Sequence, residues 1–271
     1  MKRQWYATPY ALWMLLFTIV PLLFVVYYAF SDGQGGWTAA NFLRIFQPGY
    51  LPVLLDSLKL ALLCTIICLL ICYPTAYFLA SKDFSENKML VVLILLPMWM
   101  NFLLRTYAMM TILENNGLLN TLLEKLGFGK LRIIGTEGAV LLGMVYNFLP
   151  FMVLPVYTAL KKLDAGVIEA AEDLGANPIR VITRVVVPQS IPGVISGITM
   201  VFMPAVTTFA ITRLLSNGMI YLAGDMIEEF FITLNNRPAG SAMSLVMLVL
   251  ILITTLLLRS INPAERKGGR A

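Results

Sequence analysis

The chain has 271 residues, 59% of them hydrophobic and 13% charged, with a formal net charge of +5 and a mean hydropathy of +0.80. That balance lies outside the range of ordinary water-soluble domains and marks an integral membrane protein. With no histidine in the sequence, imidazole bases, histidine metal ligands and Ser-His-Asp triads are absent, which excludes most hydrolytic enzymes.

Six apolar runs are each long enough to cross about 30 Å of hydrocarbon as a helix. The first, from about Ala11 to Phe30, is longer than a typical signal-peptide core and lacks a small-x-small cleavage site after it, so a retained span is expected. The second, from Leu60 to Ala80, carries Cys64, Cys68 and Cys72 at every fourth position. That spacing aligns three thiols on one helical face, as packing groups rather than a tetrahedral metal site. The third runs from Met89 to Leu113 and contains Pro97, which can open a helix and turn carbonyls toward a cavity. The fourth runs from Ala139 to Leu160, the fifth from Ile191 to Thr212 and the sixth from Gly240 to Leu258.

The expected fold is therefore all-α, with six transmembrane helices in one domain spanning 1–271. An even number of spans puts both termini on one side. Lys2, Arg3, Lys82, Lys88, Lys161, Lys162, Arg180, Arg184, Arg259, Arg266, Lys267 and Arg270 fall on that side, leaving eight of the 20 basic residues opposite. Lys125, Lys130 and Arg132 oppose the trend, but the excess predicts cytoplasmic termini. The same asymmetry accounts for most of the net charge, so nucleic acid is not an expected partner. No G-x-x-x-x-G-K-[ST] loop occurs; any nucleotide that drives the protein must be bound by another chain.

Between the fourth and fifth runs lies a patterned polar loop of about 162–188. Asp164 can cap a short helix with Val167, Ile168, Ala171 and Leu174 at helical spacing and Glu169, Glu172 and Asp173 on the polar arc. Gly175 can end it in the left-handed conformation, and Asn177 with Pro178 can start a second helix bearing Ile179, Ile182, Val185 and Val186 on one side. Pro188 is expected to end that helix before the fifth span. Small Ala170, Ala171 and Gly175 permit close approach, and Glu169 offers a charged anchor, as in a helix that docks in a partner's cleft. An amphipathic helix resting on the bilayer fits the same pattern.

The order Glu169-Ala170-Ala171, three residues, Gly175, nine residues, then Val185-Val186-Val187-Pro188 resembles the EAA loop of ABC importer permeases, E-A-A-x3-G-x9-I-x-L-P, with Val185 and Val187 replacing Ile and Leu. Tyr73 to Ala80, Leu96-Pro97-Met98-Trp99, Leu104 to Ala108, Asn116 to Asn120 and Arg237 to Ala242 are similar to segments of spermidine/putrescine importer permeases, B-type subunits above all. The resemblance implies a type I importer fold in a bacterial inner membrane, with a cytoplasmic coupling helix contacting the ATPases through Glu169, Ala170, Ala171, Asp173, Leu174, Gly175 and Pro188. It implies a C-type second permease, two subunits that bind ATP and Mg, and an extracytoplasmic polyamine-binding protein. No catalytic residue is expected in this chain.

A polyamine path should offer carboxylates to the ammonium groups and aromatic faces to the cations and methylenes. Asp225, Glu228 and Glu229 stand at i, i+3 and i+4, and would share one face of a helix after the fifth span. A solvated rim or a contact for the binding protein is the plainer reading. Trp99, just beyond Pro97, and Tyr107 are the candidate aromatic lining residues. Arg105 would repel a cationic solute and is expected to pair with Glu114 or with backbone carbonyls. A related importer for another small solute, a self-contained secondary transporter and a membrane assembly factor remain alternatives, although inverted halves and midplane carboxylates are not apparent.

Overall fold

The computed structural model describes residues 8–33, 36–81 and 88–260. Lys2, Arg3, Lys82, Arg266, Lys267 and Arg270, part of the charge bias used for orientation, lie outside the described residues. Helices dominate, and among the described residues only one isolated bridge, Ser31 to Trp37, departs from them toward β structure.

The chain begins with α1 (Pro9–Ala29) and the short α2 (Ala40–Ile45), followed by α3 (Leu51–Ala80). The apolar run of α3 was expected to start at Leu60, but the helix starts nine residues earlier. Asp56 and Lys59 interrupt the hydrophobicity without interrupting the helix, and the exposed Lys59 Nζ meets Glu137 Oε2 at 3.0 Å at the start of the fourth span. The third run is α4 (Met89–Trp99) followed by α5 (Phe102–Leu113), and it is not straight: α4 and the segment Phe102–Lys125 meet at 93°. Pro97 removes one amide donor, the turn Leu96–Trp99 tightens to a 3-10 helix, and Met100 is extended. Asn101 then caps α5, its side chain accepting from the amides of Leu103 at 2.9 Å and Leu104 at 3.2 Å.

After α6 (Leu118–Lys125) come α7 (Glu137–Lys161), α8 (Ala165–Asp173) and α9 (Pro178–Thr207). Pro188 does not end the helix before the fifth span, contrary to expectation. A π-helical turn at Ile182–Val186 immediately precedes it. The wider turn relieves the clash that a proline ring makes with the carbonyl one turn back, so the helix runs on unbroken to Thr207. The chain closes with α10 (Ala210–Leu215), α11 (Ala223–Glu228) and α12 (Arg237–Ser260).

Among the described residues five helices, α1, α3, α7, α9 and α12, are long and apolar enough to cross a membrane, and the bent pair of α4 and Phe102–Lys125 makes a sixth if it is one span. The centre is α7, packed against α3 and α9, while α12 packs on α1. In its most apolar stretch α7 is 61% buried and α1 not at all, so α7 is the core and α1 a peripheral span. In hydrocarbon, close backbone approach replaces the hydrophobic effect as the packing force. Gly193 shows this: a Cβ there would lie 2.4 Å from Ala159 Cβ and 2.7 Å from the Pro155 carbonyl of α7. Cys64, Cys68 and Cys72 are fully buried along one face of α3, as packing thiols should be.

Candidate functional site

The loop between α7 and α9 is built from local backbone chemistry. Asp164 Oδ1 accepts from the Gly166 amide at 2.9 Å and opens α8. At the other end Gly175 sits at φ +79°, the Gly175 amide donates to Glu172 O at 2.8 Å, and the Ala176 amide reaches back to Ala171 O at 3.1 Å. Those two bonds form a Schellman closure, which a residue with a Cβ adopts only under strain. Asn177 Oδ1 then accepts from the Arg180 amide at 2.9 Å, with Pro178 in the first turn of α9.

The apolar arc of α8 divides in two. Ile168 and Ala171 pack against the membrane bundle, with Ala176 beside them. Val167, Leu174 and Ile179 remain exposed, Leu174 by 89% of its surface. Ala170, Glu169 and Asp173 are exposed too. Beneath α8 is a cavity of about 330 Å³ bounded by Tyr77, Leu160, Lys161, Ile168, Glu169 and Glu172. A rigid turn thus presents apolar side chains outward beside carboxylates. Pro188 stands apart from this surface, about three turns inside the continuous α9.

The carboxylates predicted to share a face do converge. Asp225, Glu228 and Glu229 all line one cavity of about 210 Å³, although α11 ends at Glu228 and Glu229 opens a π turn. Two residues that the sequence pattern did not single out complete it. Arg213 of α10 meets Glu228 Oε1 at 2.5 Å, and the Tyr221 hydroxyl donates to Glu229 Oε2. Asp225, 9% exposed, accepts from the Leu222 amide at 2.9 Å. Burial raises its carboxyl to about 6, against the opposing pull of that amide. Burial and the neighbouring Glu229 also push the Tyr221 hydroxyl upward, keeping it a donor. A long-range bond fixes the start of α11, the Ala223 amide donating to Ser57 Oγ of α3 at 2.7 Å.

Trp99 and Tyr107 do not line that cavity. Trp99 is 84% exposed at the end of the 3-10 turn, and Tyr107 is 55% exposed on α5. The helix bearing Arg213, α10, packs against α5 and so joins the two regions. Arg105 is buried and does not pair with Glu114: its Nε donates to Asn147 Oδ1 at 2.8 Å and its Nη1 to the Pro97 carbonyl at 2.7 Å. The backbone-carbonyl expectation holds, and Asn147 is the partner that spacing alone did not reveal.

Residues 2–267 match the family described as binding-protein-dependent transport system inner membrane component. The chain belongs to that family. The permease is 39% identical over 247 residues to the spermidine/putrescine transport system permease protein PotB of Haemophilus influenzae, covering 88% of this chain and 86% of that protein. It is 34% identical to PotB of Escherichia coli strain K12, covering 88% and 90%. Its fold is that of a bacterial ABC transporter involved in the import of the acidic polysaccharide alginate, with a TM-score of 0.76 at 18% identity over 96% of this chain and 97% of that one. The alginate transporter in complex with a pentasaccharide-bound periplasmic protein gives a TM-score of 0.81 at 16% identity, with 97% and 96% covered. The chain is a multi-pass inner-membrane permease subunit of a binding-protein-dependent ABC system. Such a permease catalyses no reaction itself, and partner subunits supply the ATP-driven step.

Proposed function

We propose that this permease forms half of the translocation path of an importer for spermidine, putrescine or both, with a related C-type permease as the other half. Two ATPases holding ATP and Mg drive it from the cytoplasm, where both termini and the 162–188 loop lie, and an extracytoplasmic binding protein delivers the solute. The observation that carries the drive mechanism is the rigid turn at Gly175 with Leu174 exposed by 89% beside it. An apolar side chain held outward on a fixed backbone is a preorganised anchor, so little freedom is lost when a partner covers it. Glu169, Ala170, Ala171, Asp173, Leu174 and Gly175 form the contact, and Pro188 belongs to the helix that relays it. Closure of the ATPases moves α8, and the spans alternate their access.

The polyamine assignment is supported by the likeness to PotB and by the cavity of Asp225, Glu228 and Glu229. Three carboxyl groups face one guanidinium there, leaving an excess of negative charge suited to an ammonium group even with Asp225 partly protonated. Trp99 and Tyr107 supply the aromatic faces. The test is uptake of labelled spermidine and putrescine into proteoliposomes holding both permeases, the ATPases and the binding protein. Uptake that requires ATP and the binding protein is expected. Flux through this chain alone, without ATP, would establish the secondary-transporter alternative. ATP-dependent import of a different solute only would retain the importer and overturn the substrate.

A further inference from the structure

The apolar pair of α4 and Phe102–Lys125 is bent at about a right angle, and a buried cation closes the break. Arg105 lies in the first turns of α5 and is only 4% exposed. Its guanidinium reaches back across the break to the Pro97 carbonyl at 2.7 Å and sideways to Asn147 Oδ1 of α7 at 2.8 Å. Asn147, itself fully buried, donates to Thr106 Oγ1 at 3.2 Å and to the Gly143 carbonyl at 2.9 Å. The guanidinium carbon also stands 5.7 Å from the centre of the Tyr146 ring. One side chain therefore joins the end of α4, the start of α5 and the central helix α7.

Among the described residues no carboxylate forms an ion pair with Arg105. Burying a cation without a counterion is unfavourable unless its hydrogen bonds are satisfied, so its retention requires a geometric return. The planar guanidinium supplies that, since two fixed N–H directions can hold two acceptors on different elements at once; an ammonium on a flexible stem cannot fix the same angle. Trp99 is two residues beyond the bonded carbonyl and Tyr107 two residues beyond the arginine, so the joint dictates where both rings stand.

We propose that Arg105 and Asn147 are positioning residues of the transport path, setting the angle of the broken span and thereby the placement of Trp99 and Tyr107. This rests on the reading of those aromatics as path residues. The decisive comparison is Arg105→Lys, which keeps the charge and loses the fork, with Asn147→Ala removing the same acceptor from the α7 side. Two quantities are measured on assembled complexes: uptake per complex, and the rate at which Trp99→Cys reacts with a membrane-impermeant maleimide, the three native cysteines being buried. Both variants should assemble, lose at least tenfold in uptake per complex and change the labelling rate at position 99 at least fivefold. An unchanged labelling rate, or unchanged uptake despite altered labelling, overturns the proposal. So does failure of both variants to assemble, which would make the joint a determinant of folding only. If the unaltered complex moves neither polyamine, the substrate reading fails by itself, because the labelling rate still reports the geometry of the joint.

Discussion

The loop that carries α8 and the cavity at α11 are both polar features in an apolar molecule, but they are specified in different ways. In the loop, each decisive bond connects residues close in sequence: Asp164 with Gly166, Gly175 with Glu172, Asn177 with Arg180. In the cavity, the carboxylates are near neighbours, yet their setting comes from Arg213 fifteen residues before Glu228 and from Ser57 of α3. The loop is a preformed shape, fixed by its own local bonds. The cavity is an assembled charge balance that changes with pH.

The sharpest break of this comparison is Leu174→Asp. If the loop is a docking shape, association with the ATPases should weaken by about 2 kcal/mol, some thirtyfold, as at a buried anchor. The unfolding midpoint of the isolated permease in detergent should barely move, since a side chain this exposed contributes little to the fold. Equal association in a pull-down titration would mean that α8 rests on lipid instead. Gly175→Ala comes next. Nothing lies within 4 Å of the added Cβ, so only the backbone at φ +79° is strained, by roughly 1–2 kcal/mol. A loss of ATPase association of that size, smaller in Gly175→Asn than in Gly175→Ala, is expected from a binding assay on both variants.

The smallest effect tests the cavity. Asp225 has its carboxyl raised from 3.8 to about 6 by burial, so the folded state holds its proton more tightly than the unfolded chain. The resulting stability is full below pH about 4 and is lost as pH rises through about 6. Discounted for solvent and for the Leu222 amide, the change is on the order of 1 kcal/mol. Thermal unfolding between pH 4 and 7 should show this fall in the permease and a flatter profile in Asp225→Asn, whose amide oxygen can still accept from Leu222. Parallel profiles would remove Asp225 as the titrating group.

The same division explains what was legible in the sequence. Caps and the left-handed glycine are signalled within a few residues, and α8 was accordingly readable down to its terminal hydrogen bonds. The spans were readable from apolar length, but two boundaries were not. Asp56 and Lys59 hid the first turns of α3 because the compensating charge, Glu137, lies on another helix. Pro188 suggested a helix end because the rule for proline is local, whereas the π turn that accommodates it is a property of the whole path of α9. Pro97 announced a break, and nothing in its neighbourhood announced that Asn147 would set the angle. Clustering of Asp225, Glu228 and Glu229 followed from helical spacing; the cation among them did not.

The uninterrupted course of α9 has a mechanical meaning. Its 30 residues form a rod of about 45 Å at 1.5 Å per residue, longer than the roughly 30 Å of hydrocarbon. One end is rooted at Asn177-Pro178 in the polar loop, and the other stops two residues short of the helix that holds Arg213. Had Pro188 cut the rod, a push on the loop would be absorbed at a hinge. Left whole, it is a lever whose fulcrum is the tight glycine contact with α7 at Gly193, so a tilt imposed at the loop end swings the opposite end in the reverse direction, toward or away from the ion pair of Arg213 and Glu228.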